Sequence, residues 1–134
     1  SPISRERLAR FIDEQSYDIY ATRQMRLIIE ADNRTVGSID IFDFDPLNRR
    51  FGIGVVIFSK SDREKGYAKE AIKHIIGYGR NTLNIKQIWV TIAIDNKASI
   101  ALFESCGFTQ SAHRREWIYR DGDFIDELEY QLIL

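Results

Sequence analysis

The hydrophobic positions change period several times along the chain, and each change predicts a new element. Residues 4–15 place apolar side chains at helical spacing behind Ser4, which predicts a short amphipathic helix. From residue 23 the apolar positions alternate, and two such runs flank the turn Ala-Asp-Asn-Arg-Thr, so residues 23–43 predict a β-hairpin. The run Phe-Gly-Ile-Gly-Val-Val-Ile-Phe, which ends at Phe58, predicts a third strand antiparallel to the second.

The second half of the chain predicts two helices and a buried strand between them. Apolar residues recur every three or four positions over residues 68–83, which is the pattern of a helix packed on a sheet. Residues 86–94 are rich in β-branched side chains and apolar on both faces, which is typical of a central strand. The next helix is predicted to begin at Asp95 or Asn96 and to end at Gly107.

A second β-hairpin closes the chain, because Asp-Gly at residues 121–122 separates two alternating runs. The order is then helix, three strands, helix, strand, helix and two strands. This order predicts an α/β domain of the mixed α+β kind around one central sheet. Neither a repeat nor a linker divides the sequence, so we expect residues 1–134 to form a single domain.

The composition restricts the partners that this domain can bind. A chain of 134 residues with 44% hydrophobic residues can bury a substantial core. Its 19 basic and 20 acidic residues nearly cancel, so no global field recruits nucleic acid or an anionic membrane. Cys106 is the only cysteine, and the apolar runs have the length of strands. We therefore expect a cytoplasmic protein without a disulfide or a membrane span, and we assign no metal site.

The stretch Arg-Glu-Lys-Gly-Tyr-Ala at residues 63–68 lies between the third strand and the first long helix. The first N–H groups of a helix have no partner within it and, with the helix dipole, they bind phosphate. Small side chains at Gly66 and Ala68 permit close approach of a diphosphate, and positive charge is supplied by Arg63, Lys65 and Lys69. The stretch matches neither a dinucleotide fingerprint nor a triphosphate loop. Taken alone, its glycine favours a simple tight turn with solvated charges.

The helix after the central strand gives residues 63–68 a more specific interpretation. The pattern Arg-x-x-Gly-x-Ala, a strand, and Asn-x-x-Ser-x-x-Leu-Phe-x-x-x-Gly-Phe resembles the GNAT superfamily of acyl-coenzyme-A N-acyltransferases. The resemblance runs from residue 23 to residue 134. It is closest to the branch that holds spermidine/diamine acetyltransferases and ribosomal-protein N-terminal acetyltransferases. It implies a GNAT-like fold, with a mixed central sheet splayed around the coenzyme and helices on both faces.

The resemblance also implies acetyl-coenzyme A as co-substrate, bound where strands 51–58 and 87–94 splay apart. Its pyrophosphate would rest on N–H groups of residues 66–68, and its pantetheine amides would pair along residues 56–58. The implied coenzyme-binding residues are Val56, Ile57, Phe58, Arg63, Glu64, Lys65, Gly66, Tyr67, Ala68, Lys69, Asn96, Ser99 and Phe103. Asn96 is also a good helix cap, and we expect capping to be its main energetic role.

Phe103 departs from the family pattern, in which many members carry a tyrosine that can protonate the leaving thiolate. Phenylalanine cannot donate a proton. Either Tyr119, Ser99 or a water replaces it, or no acid is needed, because a thiolate with a pKa of about 8.5 is a tolerable leaving group. We expect the second. The simpler interpretation makes Phe103 a core aromatic residue.

The acceptor amine needs a base. A primary amine with a pKa of about 10 is neutral in roughly one molecule per thousand at pH 7, which costs roughly 4 kcal/mol. Asp40, Asp43, Asp45 and Glu30 are the candidate bases, and we select Asp43, because Asp45 fits an ordinary turn. The family resemblance implies that a backbone N–H near Val56 or Ile57 polarises the thioester carbonyl.

These features predict an N-acetyltransferase in which a primary amine attacks acetyl-coenzyme A directly, with Asp43, Tyr119 and Ile57 as catalytic residues. Local acidic residues favour a small diamine or polyamine as the acceptor, and residues 113–115 favour a peptide or ribosomal-protein N-terminus. Phe103 leaves room for a non-catalytic acyl-coenzyme-A-binding module. The acceptor and the oligomeric state, including a homodimer, stay open. The resemblance implies that this domain lacks the family's first strand and part of its first helix.

Overall fold

The structure is a computed structural model, and it describes residues 10–13 and 18–134. The strands in these ranges are β1 (Arg10–Asp13), β2 (Met25–Ala31), β3 (Arg34–Asp45), β4 (Arg50–Ile57), β5 (Gln87–Ala93), β6 (Thr109–Arg120) and β7 (Asp123–Ile133). The helices are α1 (Ile19–Thr22), α2 (Tyr67–Asn81) and α3 (Lys97–Ser105), and a single turn of 3-10 helix covers Lys60–Asp62. No described helix has the length and apolar character needed to cross a membrane.

The strands form one sheet in the order β1-β2-β3-β4-β5-β7-β6. All neighbours are antiparallel except β4 and β5, so the predicted mixed sheet is confirmed. The parallel pair is short, because Arg50–Gly52 of β4 match only Gln87–Trp89 of β5. Beyond Gly52 the two strands separate and leave a V-shaped opening in the sheet.

The predicted helix over residues 4–15 is wrong where the structure describes it. Residues 10–13 form β1, which pairs with the edge of β2 and places Phe11 opposite Ile29. Phe11 also stacks on His74 of α2, with ring centroids 4.4 Å apart. Pairing with an open strand edge and packing on a helix outweigh the weak helical spacing of this segment. The rest of the predicted helix lies outside the described residues.

The core lies on one face of the sheet. Phe51 of β4 lies beneath α2, where Gly79 approaches its ring. Ile88 of β5 pairs with Phe51 and shares this face, as does Tyr130 of β7, whose hydroxyl donates to Glu104 of α3 at 3.1 Å. Within the described ranges both long helices therefore cover the same face, whereas the resemblance implied helices on both. The described residues between β1 and β2 contribute only the four-residue α1.

Two glycines of α2 provide a test of this packing. A Cβ built on Gly79 would lie 2.6 Å from Cδ1 of Ile85 and 3.0 Å from Cζ of Phe51, whereas one on Gly77 meets nothing within 4 Å. We expect Gly77→Ala to raise the free energy of unfolding by about 0.5–1 kcal/mol through helix propensity. Gly79→Ala should lower it by about 1 kcal/mol or more, because buried neighbours must shift. Urea unfolding of both variants measures the difference, and equal effects would contradict the packing at Gly79.

Candidate active site

The first turn of α2 is open to a ligand. Gly66 is its N-cap residue, with φ 82° and ψ 8°, a left-handed conformation that favours glycine. No side chain caps this helix, and the carbonyl of Gly66 accepts the first intrahelical bond, from the N–H of Glu70 at 3.1 Å. A Cβ on Gly66 would meet nothing within 4 Å, so the space before the helix is empty of protein. Uncapped N–H groups beside open space form a seat for an anion.

This seat opens into a cleft of about 550 Å³ between β4 and the N-terminal ends of α2 and α3. The residues that line the cleft are Val55, Val56, Ile57, Arg63, Gly66, Ala68, Lys69, Asn96, Ala98, Ser99 and Leu102. Most of the predicted coenzyme-binding residues are among them. The fold thus brings together three segments that are separate in the sequence, because β4 and β5 diverge at this point.

The edge of β4 turns backbone groups toward the cleft. Its pairing with β5 ends at Gly52, whereas its pairing with β3 continues to Ile57. The N–H of Phe58 donates to the carbonyl of Val36 at 2.9 Å, so Phe58 is bonded to the β3 side. Bonded and non-bonded residues alternate along an antiparallel ladder. The N–H of Ile57 therefore points away from β3 and toward the cleft.

The same alternation assigns the neighbouring backbone groups. Val56, like Phe58, directs its N–H toward β3, and Val55 directs its own toward the cleft. The carbonyl of Ile57 accepts a bond from Nε of Arg63 at 3.3 Å. Of the two residues that the sequence offered for polarising a carbonyl, Ile57 has the suitable orientation.

Asn96 caps α3 at the far wall of the cleft. Its Oδ1 accepts a bond from the N–H of Ser99 at 3.1 Å, which is the capping role that the sequence predicted. The cleft also contains Val55 and Ala98, which the sequence analysis did not select. Ala98 carried the same signal as Ala68, a small side chain in the first turn of a helix.

Some of the predicted coenzyme-binding residues do not line the cleft: Phe58, Glu64, Lys65, Tyr67 and Phe103. Phe103 is buried and packs edge-to-face on Phe108, with ring centroids 5.1 Å apart, so it is a core aromatic residue. Tyr67 is buried as well. Nζ of Lys65 lies 3.2 Å from a carboxylate oxygen of Asp62, which holds this ammonium group away from the cleft.

A second cavity, of about 490 Å³, lies on the opposite face of the sheet. Phe51 faces the helices, so its neighbours Arg50 and Gly52 face this side. An irregularity in β3 between Phe42 and Asp45, with φ 50° at Asp43, brings both aspartates to the cavity wall. The full lining is Asp43, Asp45, Arg50, Gln87, Trp89, Glu129 and Gln131. Three carboxylates make it suitable for a cation.

The carboxylates of this second cavity differ in their surroundings. Asp45 accepts bonds from the side chain and the backbone N–H of Asn48, and these bonds hold the pKa of Asp45 below its usual range. Nη2 of Arg50 lies 3.6 Å away. Asp45 is therefore a turn residue, as the sequence favoured, while Asp43 is exposed at the cavity wall.

Tyr119 lies outside both cavities. It is 67% exposed near the tip of the β6–β7 hairpin, with its ring 5.2 Å from that of Phe124. The tip of the hairpin contacts the start of α3, where Arg120 pairs with Asp95, but Tyr119 itself does not line the cleft. Of the two side chains offered as replacements for the missing tyrosine, Ser99 is the one at the cleft.

Comparison with known proteins identifies relatives of this chain. A family model of the acetyltransferase (GNAT) domain matches residues 1–109. The spermidine N(1)-acetyltransferase of Vibrio cholerae is 24% identical over 109 residues, which are 81% of this chain and 62% of that protein. YdaF, a putative ribosomal N-acetyltransferase of Bacillus subtilis, is 28% identical over 102 residues, which are 76% of this chain and 55% of that protein. The chain thus spans less than two thirds of the length of these relatives.

A solved structure of a SpeG spermidine N-acetyltransferase variant from Vibrio cholerae has the same fold. It superposes with a TM-score of 0.79 at 22% identity, over 86% of this chain and 68% of that one. The predicted GNAT-like fold is confirmed, and so is the resemblance to the branch with spermidine and ribosomal acetyltransferases. Because the family model matches most of the sequence, the chain belongs to the GNAT acetyltransferase family.

Proposed function

We propose that this chain is an N-acetyltransferase domain that moves an acetyl group from acetyl-coenzyme A to a primary amine. One observation carries the proposal: a single cleft joins the uncapped N-terminus of α2, the inward N–H groups of β4 and the first turn of α3. A diphosphate needs the first feature, an amide-bearing arm needs the second, and a thioester needs room beside both. GNAT membership supports the same assignment.

The phosphate end of the coenzyme would rest on the N–H groups at the start of α2. Gly66 leaves the approach open, and Ala68 adds only a methyl group beside it. Arg63 and Lys69 line the same part of the cleft and supply positive charge to a diphosphate. The helix dipole adds to this attraction.

The acetyl end would lie along β4. The N–H groups of Val55 and Ile57 face the cleft, so an amide-bearing arm can pair with this edge as a short additional strand. The N–H of Ile57 is then available to the thioester carbonyl, where it stabilises negative charge as the amine attacks. The leaving thiolate requires no strong acid, since its pKa is about 8.5, and this agrees with the core position of Phe103.

The amine would approach from the opposite face of the sheet. The V opens beyond Gly52, and a Cβ on Gly54 would have only Phe42 near it, at 3.8 Å, so the sheet is thin at this point. Asp43 and Glu129 line the cavity on that face. A small diamine or polyamine suits this cavity, because one ammonium group can pair with carboxylates while the other, neutral, amine attacks.

The alternative acceptor, a peptide or ribosomal-protein N-terminus, rested on residues 113–115. The structure engages two of these side chains locally: His113 lies 2.7 Å from Asp126, and the guanidinium of Arg114 lies 4.9 Å from the centre of the Trp117 ring. These local contacts weaken the case for a peptide. The acidic lining of the second cavity is a separate observation, and it favours the diamine. A non-catalytic acyl-coenzyme-A-binding module is the remaining alternative.

Thiol release from acetyl-coenzyme A tests the proposal. We expect turnover with diamines and polyamines, slower turnover with peptides that have a free N-terminus, and none with the corresponding N,N′-diacetylated diamines. Mass spectrometry of the product should show one added acetyl group per transferred amine. Micromolar binding of acetyl-coenzyme A without turnover on any amine would reject the enzyme in favour of the binding module.

A further inference from the structure

Asp62 is the buried charged residue of the part of the chain that the structure describes. Its side chain is 1% exposed. Taking a carboxylate out of water is costly unless close partners compensate. Nη1 and Nη2 of Arg34 each lie 2.7 Å from one of its oxygens, and Nζ of Lys65 lies 3.2 Å away. These bonds, led by that of Arg34, hold the pKa of Asp62 well below its usual range despite burial, so the carboxylate stays ionised.

The position of Asp62 in the fold indicates which part of the chain this ion pair holds in place. Asp62 ends the 3-10 turn that follows β4, and Arg34 is the first residue of β3. The main chain of Asp62 is held as well: its N–H donates to Ser59 at 3.0 Å, and its carbonyl accepts the N–H of Lys65 at 3.2 Å. One residue thus fixes the shape of the segment 59–65 and ties it to the sheet. Gly66 follows directly.

We propose that Asp62 is a positioning residue for the phosphate seat. By anchoring the segment before α2 to Arg34, it holds Gly66 and the first N–H groups of the helix in the conformation that receives the coenzyme diphosphate. It also retains Lys65, so that Arg63 of this segment and Lys69 of α2 are the basic residues that line the cleft. This inference rests on the proposed function, because it presupposes that acetyl-coenzyme A binds in the cleft.

A purely structural ion pair would give a different result from a positioning role. Loss of a structural pair lowers the stability of the fold and weakens the binding of every ligand of the cleft to the same extent. Loss of a phosphate-positioning pair weakens ligands that carry the diphosphate and spares those that lack it. Acetyl-coenzyme A and S-acetylpantetheine form such a pair of ligands, since they share the thioester and the pantetheine arm.

The experiment compares both ligands on the wild type, Asp62→Asn, Arg34→Lys and a control, Asp126→Asn. Asparagine at residue 62 keeps the shape and removes the charge. Asp62→Asn should weaken the binding of acetyl-coenzyme A at least tenfold, measured as Kd by calorimetry and as KM. The Kd for S-acetylpantetheine and the kcat should change less than twofold. Arg34→Lys keeps the charge but loses the two-pronged geometry, so it should show a smaller change with the same selectivity.

The control removes a hydrogen-bonded carboxylate elsewhere, whose side chain is 29% exposed against 1% for Asp62. Asp126 accepts bonds from the N–H of Glu116 at 2.8 Å and from His113, and these hold its pKa below the usual range. Asp126→Asn should leave the affinity for acetyl-coenzyme A unchanged.

Unchanged affinity in Asp62→Asn, or an equal loss for both ligands, would overturn the positioning role. If circular dichroism shows Asp62→Asn to be unfolded, the selectivity of Arg34→Lys decides in the same way. Absence of acetyl-coenzyme A binding by the wild type would instead reject the proposed function, and this outcome is recognised before any variant is made.

Discussion

Gly66→Glu should weaken the binding of acetyl-coenzyme A at least a hundredfold, which corresponds to about 2.7 kcal/mol. The new carboxylate would occupy the open space before α2, where no atom beyond the adjacent residues lies within 4 Å of a Cβ on Gly66. It would itself accept hydrogen bonds from the first-turn N–H groups, and it would repel the diphosphate. Calorimetry with acetyl-coenzyme A measures the loss directly.

The chain offers a matched control for this substitution. Gly122, in the turn between β6 and β7, has φ 84° against 82° at Gly66, and a Cβ there also meets nothing within 4 Å. Gly122→Glu therefore introduces the same charge and the same backbone strain away from the cleft. Thermal unfolding should show similar destabilisation of both variants, and only Gly66→Glu should lose coenzyme affinity. Equal affinity for acetyl-coenzyme A in the two variants would contradict the assignment of the phosphate seat to the N-terminus of α2.

The strands could be predicted from the sequence where one face of the sheet is buried. In β4, Phe51 and Ile53 are buried toward the helices, and this alternation is visible in the sequence itself. The cap at Asn96 and the turn at residues 121–122 were also predictable, because both depend on local backbone chemistry. Element order and fold class follow from such local signals.

The first element could not be predicted in the same way. Residues 10–13 carry a spacing that fits a helix, and their pairing with β2 depends on an edge that only the folded sheet provides. Neither the alternation of β2 nor its flanking turns shows that this edge accepts another strand. Tertiary pairing therefore decided against local propensity.

The candidate site divides along the same line. Gly66, Ala68 and Asn96 are recognisable because orphan N–H groups and small residues are features of a single helix start. Asp62 and Arg34 are 28 residues apart, and within a loop of mixed charges Asp62 looks like an ordinary solvated residue. The second cavity likewise joins Asp43 to Glu129 through strand neighbours that the sequence does not reveal.

Asp43→Asn should lower kcat/KM for a diamine about tenfold or more at pH 7 and less than threefold at pH 9. At pH 7 about one amine group per thousand is neutral, so a carboxylate that removes the proton has a large effect on the rate. At pH 9 the neutral fraction has risen about a hundredfold, to roughly one amine group in ten, so the rate depends much less on the carboxylate. Steady-state thiol release at both pH values measures the change, with Asp45→Asn as the control from the same cavity.

The two pH values separate two roles that a carboxylate in this cavity can have. If Asp43 only attracts the cationic substrate, its removal should weaken kcat/KM equally at pH 7 and pH 9, because a diamine with pKa values of about 10 still carries most of its charge at pH 9. Asp45, which is held by Asn48, should show such a pH-independent loss. A loss confined to neutral pH therefore identifies Asp43 as the base, and an equal loss in both variants would leave it as one of the charges that recruit the amine.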